Sequence, residues 1–281
     1  MEERDPGPVV QRLIYGVRAR EYRETANLEP VATCEKLDIK RVALSKCEAG
    51  LVADSETATE RKIVLYGLLG PEAEEFRRLG KEARRRAAPE RVTDHGRQYV
   101  AIERAATELR MAYPEVPGAL QTAAYARAQF MNSPIVRPSD LTSWAEVRER
   151  RGDLLAEEVV KATGKPRRVS LVIGEEALHR MVGGRAVMRA QLRRLLMFAD
   201  LPHFSLRVFP FSAGSSTALS CPFTLLWIEP ANVHLAYAEN ITGADYMKTT
   251  HPYVVAYDDA QRRALSESDS RALLESRVNE L

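Results

Sequence analysis

Cysteine is scarce in this 281-residue chain: Cys34, Cys47 and Cys221 are odd in number and never spaced Cys-x-x-Cys. That excludes a disulfide framework, argues against a structural zinc site, and points to a reducing compartment. An excess of one charge is lacking too, with 41 Lys and Arg against 39 Asp and Glu, a formal net charge of +2. Bulk electrostatic attraction to nucleic acid or to an anionic membrane is thereby excluded, so any nucleic-acid contact has to come from a local patch. No apolar run approaches the roughly 18 residues that a transmembrane helix needs. The opening residues, MEERDPGP, are acidic and polar, unlike the basic and then apolar start of a secretory signal. A cytoplasmic protein without membrane contact is the expectation.

Catalytic signatures are equally thin. His95, His179, His203, His234 and His251 are scattered, with no His-x-x-x-His or His-Glu-x-x-His spacing for a metal. There is no Gly-x-Ser-x-Gly elbow, no Walker-type Gly-Lys-Ser/Thr and no Gly-x-Gly-x-x-Gly. No metal and no cofactor is implied. Acid–base chemistry by Glu, Tyr or His needs no motif, so an enzyme is less expected rather than excluded, and no catalytic residue stands out.

What is present is an ordinary globular composition, 45% hydrophobic and 28% charged. At about 150 residues per domain the length suits two domains, divided here as 1–90 and 91–281. The first reads as helices only. Leu13, Ile14 and Val17 make one apolar stripe, helices follow over 30–37 and 40–48, and Gly50 ends the latter. Ile63, Val64, Leu65 and Leu68 form another face, stopped by Gly70-Pro71. The basic run from Arg77 to Arg86, ending at Ala87-Ala88-Pro89, reads as a solvated helix face and linker rather than a phosphate-facing strip.

Beyond it, Ile102, Ala105, Ala106 and Leu109 suggest a helix that ends before Pro114. Another helix begins near Leu120 and a charged one covers 144–161. Strand signals fall at 169–173, 204–208, 223–228 and 233–237, the last two forming a hairpin across Glu229-Pro230-Ala231-Asn232. Helices are expected at 175–181 and 185–198 between the first two strands, and at 253–265 and 268–278 to close the chain. The fold class is an all-α helix-turn-helix domain followed by an α+β domain whose mainly antiparallel sheet is flanked by helices.

The segment LEPVATCEKLDIKRVALSKCEAG, from Leu28 to Gly50, resembles the helix-turn-helix of the XRE (Cro/repressor) family. Leu37-Asp38-Ile39 takes the turn, Lys40 to Cys47 the recognition helix, and Glu48-Ala49-Gly50 the family's Glu-x-Gly ending. Leu28, Leu37, Ile39 and Leu44 stand where the family buries apolar side chains. Such a helix fits the major groove, where base edges carry a readable pattern. The resemblance implies double-stranded DNA as partner and Lys40, Arg41, Ser45 and Lys46 as the contacting residues. Arg41 is suited to fork onto a guanine, and Lys40 and Lys46 to neutralise phosphates. Glu29-Pro30 replaces the family's Ser-Gln start of the second helix, giving up one N–H and one common DNA contact. Cys34 and Cys47 are read as small core hydrophobes.

The run from Tyr113 to Ala128, with Val116-Pro117-Gly118-Ala119-Leu120-Gln121-Thr122 and Tyr125-Ala126-Arg127-Ala128, resembles the domain that follows the helix-turn-helix in antitoxin-like regulators of actinobacterial type. Matching segments around Val172, Val182, Val208, Pro222 and Tyr237 appear in that family's order. Its usual Arg-x-x-Arg-Gln run is here Arg148-Glu149-Arg150-Arg151-Gly152, and its Asp-Glu is here Gly174-Glu175. Gln121 and Tyr125 fall one turn apart, Glu175 and Glu176 open a helix, and Arg148 and Arg151 share a helix face suited to those carboxylates or to an anion. Tyr237 and Glu239 share one face of what reads as the last strand. Gln121, Tyr125, Arg148, Glu176, Tyr237 and Glu239 are therefore the candidate ligand-binding residues.

These readings give a DNA-binding transcriptional regulator, expected as a homodimer, whose C-terminal domain senses a small-molecule effector or docks a small partner protein. The alternative is a degenerate helix-turn-helix scaffold whose C-terminal pocket binds or transforms a small molecule in a biosynthetic pathway.

Overall fold

The computed structural model describes residues 8–85 and 94–281, apart from Ala162, Pro230, Ala231 and Thr242, with side chains from Val9 and, after the linker, from Tyr99. Contacts divide the chain into two compact units, Met1–Glu90 with Ile228–Val233, and Arg91–Trp227 with His234–Leu281.

The first unit holds helices α1 (Pro8–Thr25), α2 (Pro30–Leu37), α3 (Arg41–Glu48), α4 (Glu56–Tyr66) and α5 (Gly70–Ala83). Pro30 sits at the start of α2, where its missing N–H costs nothing, and Asp38 turns the chain out of that helix in the left-handed region. Lys40 caps α3 from outside as an extended residue, so α3 starts at Arg41, one residue later than expected. Gly67, at φ +69°, ends α4, while Gly70-Pro71 opens α5 instead of closing the helix before it. The core gathers Tyr15 and Ala19 of α1, Cys47 of α3, Ile63 of α4, and Phe76 and Leu79 of α5. Tyr15 stacks on Phe76 at 4.6 Å and Tyr22 meets the same ring edge-on at 5.5 Å. Gly50 has φ +72°, and a Cβ there would lie 2.7 Å from the Leu13 Cα. The glycine thus reverses the chain after α3 and lets α1 pass directly over it.

The second unit runs α6 (Asp94–Ala105), β1 (Glu108–Tyr113), α7 (Ala123–Met131), α8 (Leu141–Leu155), then a small ribbon of β2 (Val159–Val160) and β3 (Lys165–Pro166). It continues β4 (Arg168–Gly174), α9 (Glu176–His179), α10 (Arg185–Ala199), β5 (Phe204–Phe209), α11 (Thr217–Ser220), β6 (Phe223–Ile228), β7 (Val233–Asn240), β8 (Gly243–Met247), α12 (His251–Arg263) and α13 (Glu267–Glu280). One six-stranded sheet has the order β5-β4-β1-β6-β7-β8. Strands β5, β4 and β1 are parallel and β6 joins β1 antiparallel. The short β6–β7 connection joins antiparallel neighbours, and β8 pairs antiparallel with β7. The α+β class therefore holds, with a parallel half beside the antiparallel one. Residues Pro230 and Ala231 of the expected hairpin turn, and Arg86 to Pro89 of the expected linker, lie outside the described residues.

Two strands differ from the sequence expectation. Glu108-Leu109-Arg110-Met111-Ala112-Tyr113 is the strand β1, not the end of a helix, because β4 and β6 bond both its sides and override the helix propensity of Glu, Leu, Arg, Met and Ala. The unforeseen β8 pairs beyond β7, so Tyr237 and Glu239 are not on the last strand. The charged helix α8 ends at Leu155, short of residue 161.

Strand alternation sorts the side chains to two faces. Ala112, Val172, Phe209, Phe223, Leu225 and Ala236 pack with Tyr257 and Ala260 of α12. Leu109, Met111 and Tyr113 of β1, Thr224 of β6, and Tyr237 and Glu239 of β7 occupy the opposite face. Register carries Tyr246 of β8 beside Tyr237 on that face.

Replacing Gly50 with Ala combines a left-handed residue with a clash against α1, and should cost about 2–4 kcal/mol. Urea denaturation followed by far-ultraviolet circular dichroism reads this; a neutral outcome would show that the turn adapts.

Candidate functional site

In the first unit the side chains of Lys40, Arg41, Ser45 and Lys46 are all exposed. Lys40, Arg41 and Lys46 make no ion pair with a described residue. The basic run behaves differently: Arg77 forks onto Glu60, Arg78 onto Glu75, and Arg85 pairs with Glu82. Positive side chains at the start of α3 work against that helix's own dipole, and an anion at this end relieves the conflict. Val42, 63% exposed, shares the first turn of α3 with Arg41, a residue that sequence reasoning passed over.

This helix is held from behind. Arg23 of α1, 5% exposed, donates from Nε to Glu48 Oε1 at 2.7 Å, from Nη2 to Glu48 Oε2 at 3.1 Å, and from Nη1 to the Leu28 carbonyl at 2.9 Å. Glu48 of the Glu-x-Gly ending, its side chain 12% exposed, is therefore an anchor for this helix. Cys47 is not merely a small hydrophobe. Lys62, 1% exposed, donates to Asp54 Oδ2 at 2.5 Å and to Cys47 Sγ at 3.2 Å, and Tyr15 donates to the same Asp54 oxygen at 2.8 Å. Burial, with the Asp54 charge, pushes the Cys47 thiol up to about 12. Burial opposes the charge of Lys62, but Cys47 and Asp54 outweigh it and raise the ammonium.

In the second unit a polar cluster occupies the sheet face at the carboxyl end of β1. Arg151 of α8 forks onto Glu103 of α6 at 2.9 and 3.0 Å, and its guanidinium lies 5.0 Å over the Tyr99 ring. Tyr99 stacks on Tyr237 at 4.0 Å, and Tyr237 is 5.1 Å from Tyr246. The Tyr237 hydroxyl donates to Glu239, while Tyr113 and Thr224 share a hydrogen bond of 2.9 Å. Burial opposes the Arg151 charge, but Glu103 more than compensates by charge and hydrogen bonds, so the guanidinium pKa is raised. Burial and the nearby Glu239 likewise raise the hydroxyl pKa values of Tyr237 and Tyr246.

One turn along α8, Arg148 donates from Nη1 to Gln121 Oε1 and Gln129 Oε1, both at 2.6 Å, and lies 4.2 Å over the Phe130 ring. Burial, with the repulsion of Arg151, lowers its pKa to about 10. Gln121 is not on a helix face: it is an extended residue before the Thr122 cap, and its Nε2 donates to the Val116 carbonyl at 2.9 Å. Tyr125 is buried in α7, its hydroxyl pushed up to about 12 by burial and by Glu115. The structure thus gathers Gln121 with Arg148, and Tyr237 with Glu239. Glu176 folds back over Gly174, where a Cβ would lie 2.2 Å from its carboxylate, and makes no hydrogen bond to Arg148 or Arg151. Sequence reasoning missed Glu103, Tyr99 and Tyr246, since β8 and the reach of α6 were not legible. The Ala213–Ser215 loop is pinned rather than free, Arg263 donating to the carbonyls of Ala213 and Ser215. Among the described residues no group of His, Cys, Asp and Glu is placed to hold a metal, and no helix is long and apolar enough to cross a membrane.

Residues 96–276 match the family model described as Domain of unknown function (DUF5753). The chain belongs to this DUF5753 family. Residues 14–76 match a helix-turn-helix domain, which supports a DNA-binding regulator. No curated protein and no solved structure matches the chain. The Arg148–Arg151 cluster lies wholly within the DUF5753 domain, and α2 and α3 within the helix-turn-helix match.

Cys47 and Lys62 keep protons in the fold that the unfolded chain releases above 9.0 for a thiol and 10.5 for an ammonium. Stability should therefore be level near neutrality and decline as pH climbs past those values. Denaturant melts across that range check this, and the double variant Cys47→Ala, Lys62→Met should flatten the alkaline decline. In the DUF5753 domain, Arg151→Met strands the buried Glu103 charge and should cost about 3–5 kcal/mol. A loss under about 1 kcal/mol, the scale of a solvent-exposed ion pair, would show that water reaches the pair.

Proposed function

We propose that the chain is a Cro/repressor-type transcriptional regulator of antitoxin-like organisation, acting in the cytoplasm as a homodimer, with its DUF5753 domain sensing a small molecule. The observation that carries the DNA half is the exposed set Lys40, Arg41 and Lys46, without an ion pair to a described residue, at and on a helix anchored by Arg23 and Glu48. In this reading Arg41 reads a guanine through two parallel bonds, Lys40 and Lys46 neutralise phosphates, Ser45 contacts the backbone or a base edge, and Val42 meets a thymine methyl group. Dimerisation follows from specificity, because one recognition helix reads too few base pairs. The sensor half is supported by the cluster at the carboxyl end of β1, the end of a parallel strand where ligands collect in open sheets. Docking of a small partner protein on the same domain is the competing outcome, distinguished by whether the purified chain alone responds to small molecules.

The test is a salt titration of binding to duplexes from the protein's own upstream region. Sequence-selective binding that weakens steeply with salt is expected, and removing Lys40 or Lys46 should lower the salt slope by about one each. Arg41→Ala should weaken operator binding by roughly 1–3 kcal/mol and relax preference at one base pair. An Arg41→Ala protein with an unchanged footprint and affinity would remove α3 as the reading helix.

A further inference from the structure

A recess of about 550 Å³ opens in the first unit where α1, the turn after α3 and the end of α5 meet. Arg12, Arg84 and Arg85 line it together with Leu51 and Val52, and no acidic side chain among the described residues does. The three arginines are not equivalent. Arg85 is paired with Glu82. Arg12 makes no hydrogen bond and no ion pair with a described residue, and its Nε is buried without a partner. Burial lowers its pKa, and no neighbouring acid offsets that. Arg84 meets only neutral oxygens, the Asp54 carbonyl and the Thr59 hydroxyl, each 3.3 Å from Nη1. The Asp54 carboxylate is engaged by Lys62 and Tyr15. Arg84 thus differs from Arg77 and Arg78 of the same basic run, each of which forks onto a glutamate.

The recess adjoins the end of α3. Leu51 donates its backbone N–H to the Lys46 carbonyl at 2.9 Å, so the rim begins at the last turn of that helix. The close pass of α1 over Gly50, at Leu13, delivers Arg12 to the same place. Eight residues rising 1.5 Å each make α3 about 12 Å long, which is also the width of the major groove. A helix of that length seated in the groove ends at its sugar–phosphate wall. Leu51 and Val52, 52% and 43% exposed, give the rim an apolar surface of the kind a deoxyribose covers. Two guanidinium groups without carboxylates gain most from a phosphate, whose oxygens accept parallel charge-assisted hydrogen bonds. Arg12 and Arg84 both lie outside residues 14–76, so the helix-turn-helix match assigns them no role.

We propose that this recess seats a phosphodiester of duplex DNA, Arg12 and Arg84 bonding its free oxygens while Leu51 and Val52 pack on the adjoining deoxyribose. The proposal rests on reading the chain as a DNA-binding regulator and adds a backbone contact beyond those of α3. Such a contact is blind to sequence, so it supplies affinity and register rather than base choice.

Fluorescence anisotropy of the full chain on an operator duplex, repeated across a salt series, reads the contact. Arg12→Met and Arg84→Met should each weaken binding roughly threefold to tenfold, on cognate and scrambled duplexes alike, and lower the salt slope by about one. Arg18→Met removes an equal charge already paired with Glu21 and should leave the slope as it is. Phosphate ethylation should interfere at one phosphate per half-site that Arg12→Met makes insensitive. Arg12 holds no polar partner among the described residues, so its variant should melt like the parent and separate binding from stability. Parental affinity and slope in Arg12→Met, or an equal loss in Arg18→Met, would overturn the proposal. So would stabilisation of the parent by inorganic phosphate in thermal melts, lost in Arg12→Met, with no change of salt slope, which reassigns the recess to a free anion. Loss of selectivity in Arg41→Ala with parental slopes in both recess variants removes this site alone. An unaltered footprint in Arg41→Ala with lowered slopes in both keeps this site and removes α3 as the reading helix. Absence of duplex binding at every salt concentration removes both.

Discussion

The fork between Arg151 and Glu103 is the constraint on which the second unit turns. Two charges withdrawn from water between α6 and α8 are tolerable only when each satisfies the other at full bidentate geometry. That requirement fixes the rotation of α8 relative to the sheet, which in turn sets Arg151 over Tyr99 and Tyr99 against Tyr237. With α8 so oriented, Arg148 one turn away meets Gln121, Gln129 and the Phe130 ring. Because Arg151 is already neutralised, Arg148 and Glu239 remain as two separated charges rather than a closed network.

The first unit uses the same device for a different end. Arg23 and Glu48 join α1 to the last turn of α3 by a buried fork, and Lys62, Asp54, Tyr15 and Cys47 join α4 to the same place. A short helix of eight residues has little stability of its own. Its outer surface can carry unpaired cations only because its inner surface is tied down by these pairs. In the basic run of residues 77–86, by contrast, Arg77, Arg78 and Arg85 meet the acids Glu60, Glu75 and Glu82, which is why position along the chain matters less than pairing in deciding where a phosphate could sit.

Much of the fold was legible. Glycines, the proline at the start of α2 and the period of the apolar residues placed the helices of the first unit, and β-branched runs located β4, β5, β6 and β7. The central β1 was not legible, since Glu-Leu-Arg-Met-Ala favours a helix until two neighbours bond to it. Of the candidate ligand residues, Arg148 with Gln121 and Tyr237 with Glu239 came together, Tyr125 went into the core, and Glu176 turned onto Gly174. Their convergence depended on strands and helices distant in sequence, which no local pattern encodes.

The sequence by itself determined the helices of the first unit, four strands of the second and the presence of a helix-turn-helix, because these follow from local periodicity, turn residues and motif spacing. Only the tertiary structure decided which charges are satisfied. Arg151 and Arg148 differ by three positions on one helix and look alike in sequence, yet one is neutralised by Glu103 while the other is left with amides. Pairing is a property of distance between elements, set by sheet order and helix rotation, and that information is spread over the whole chain.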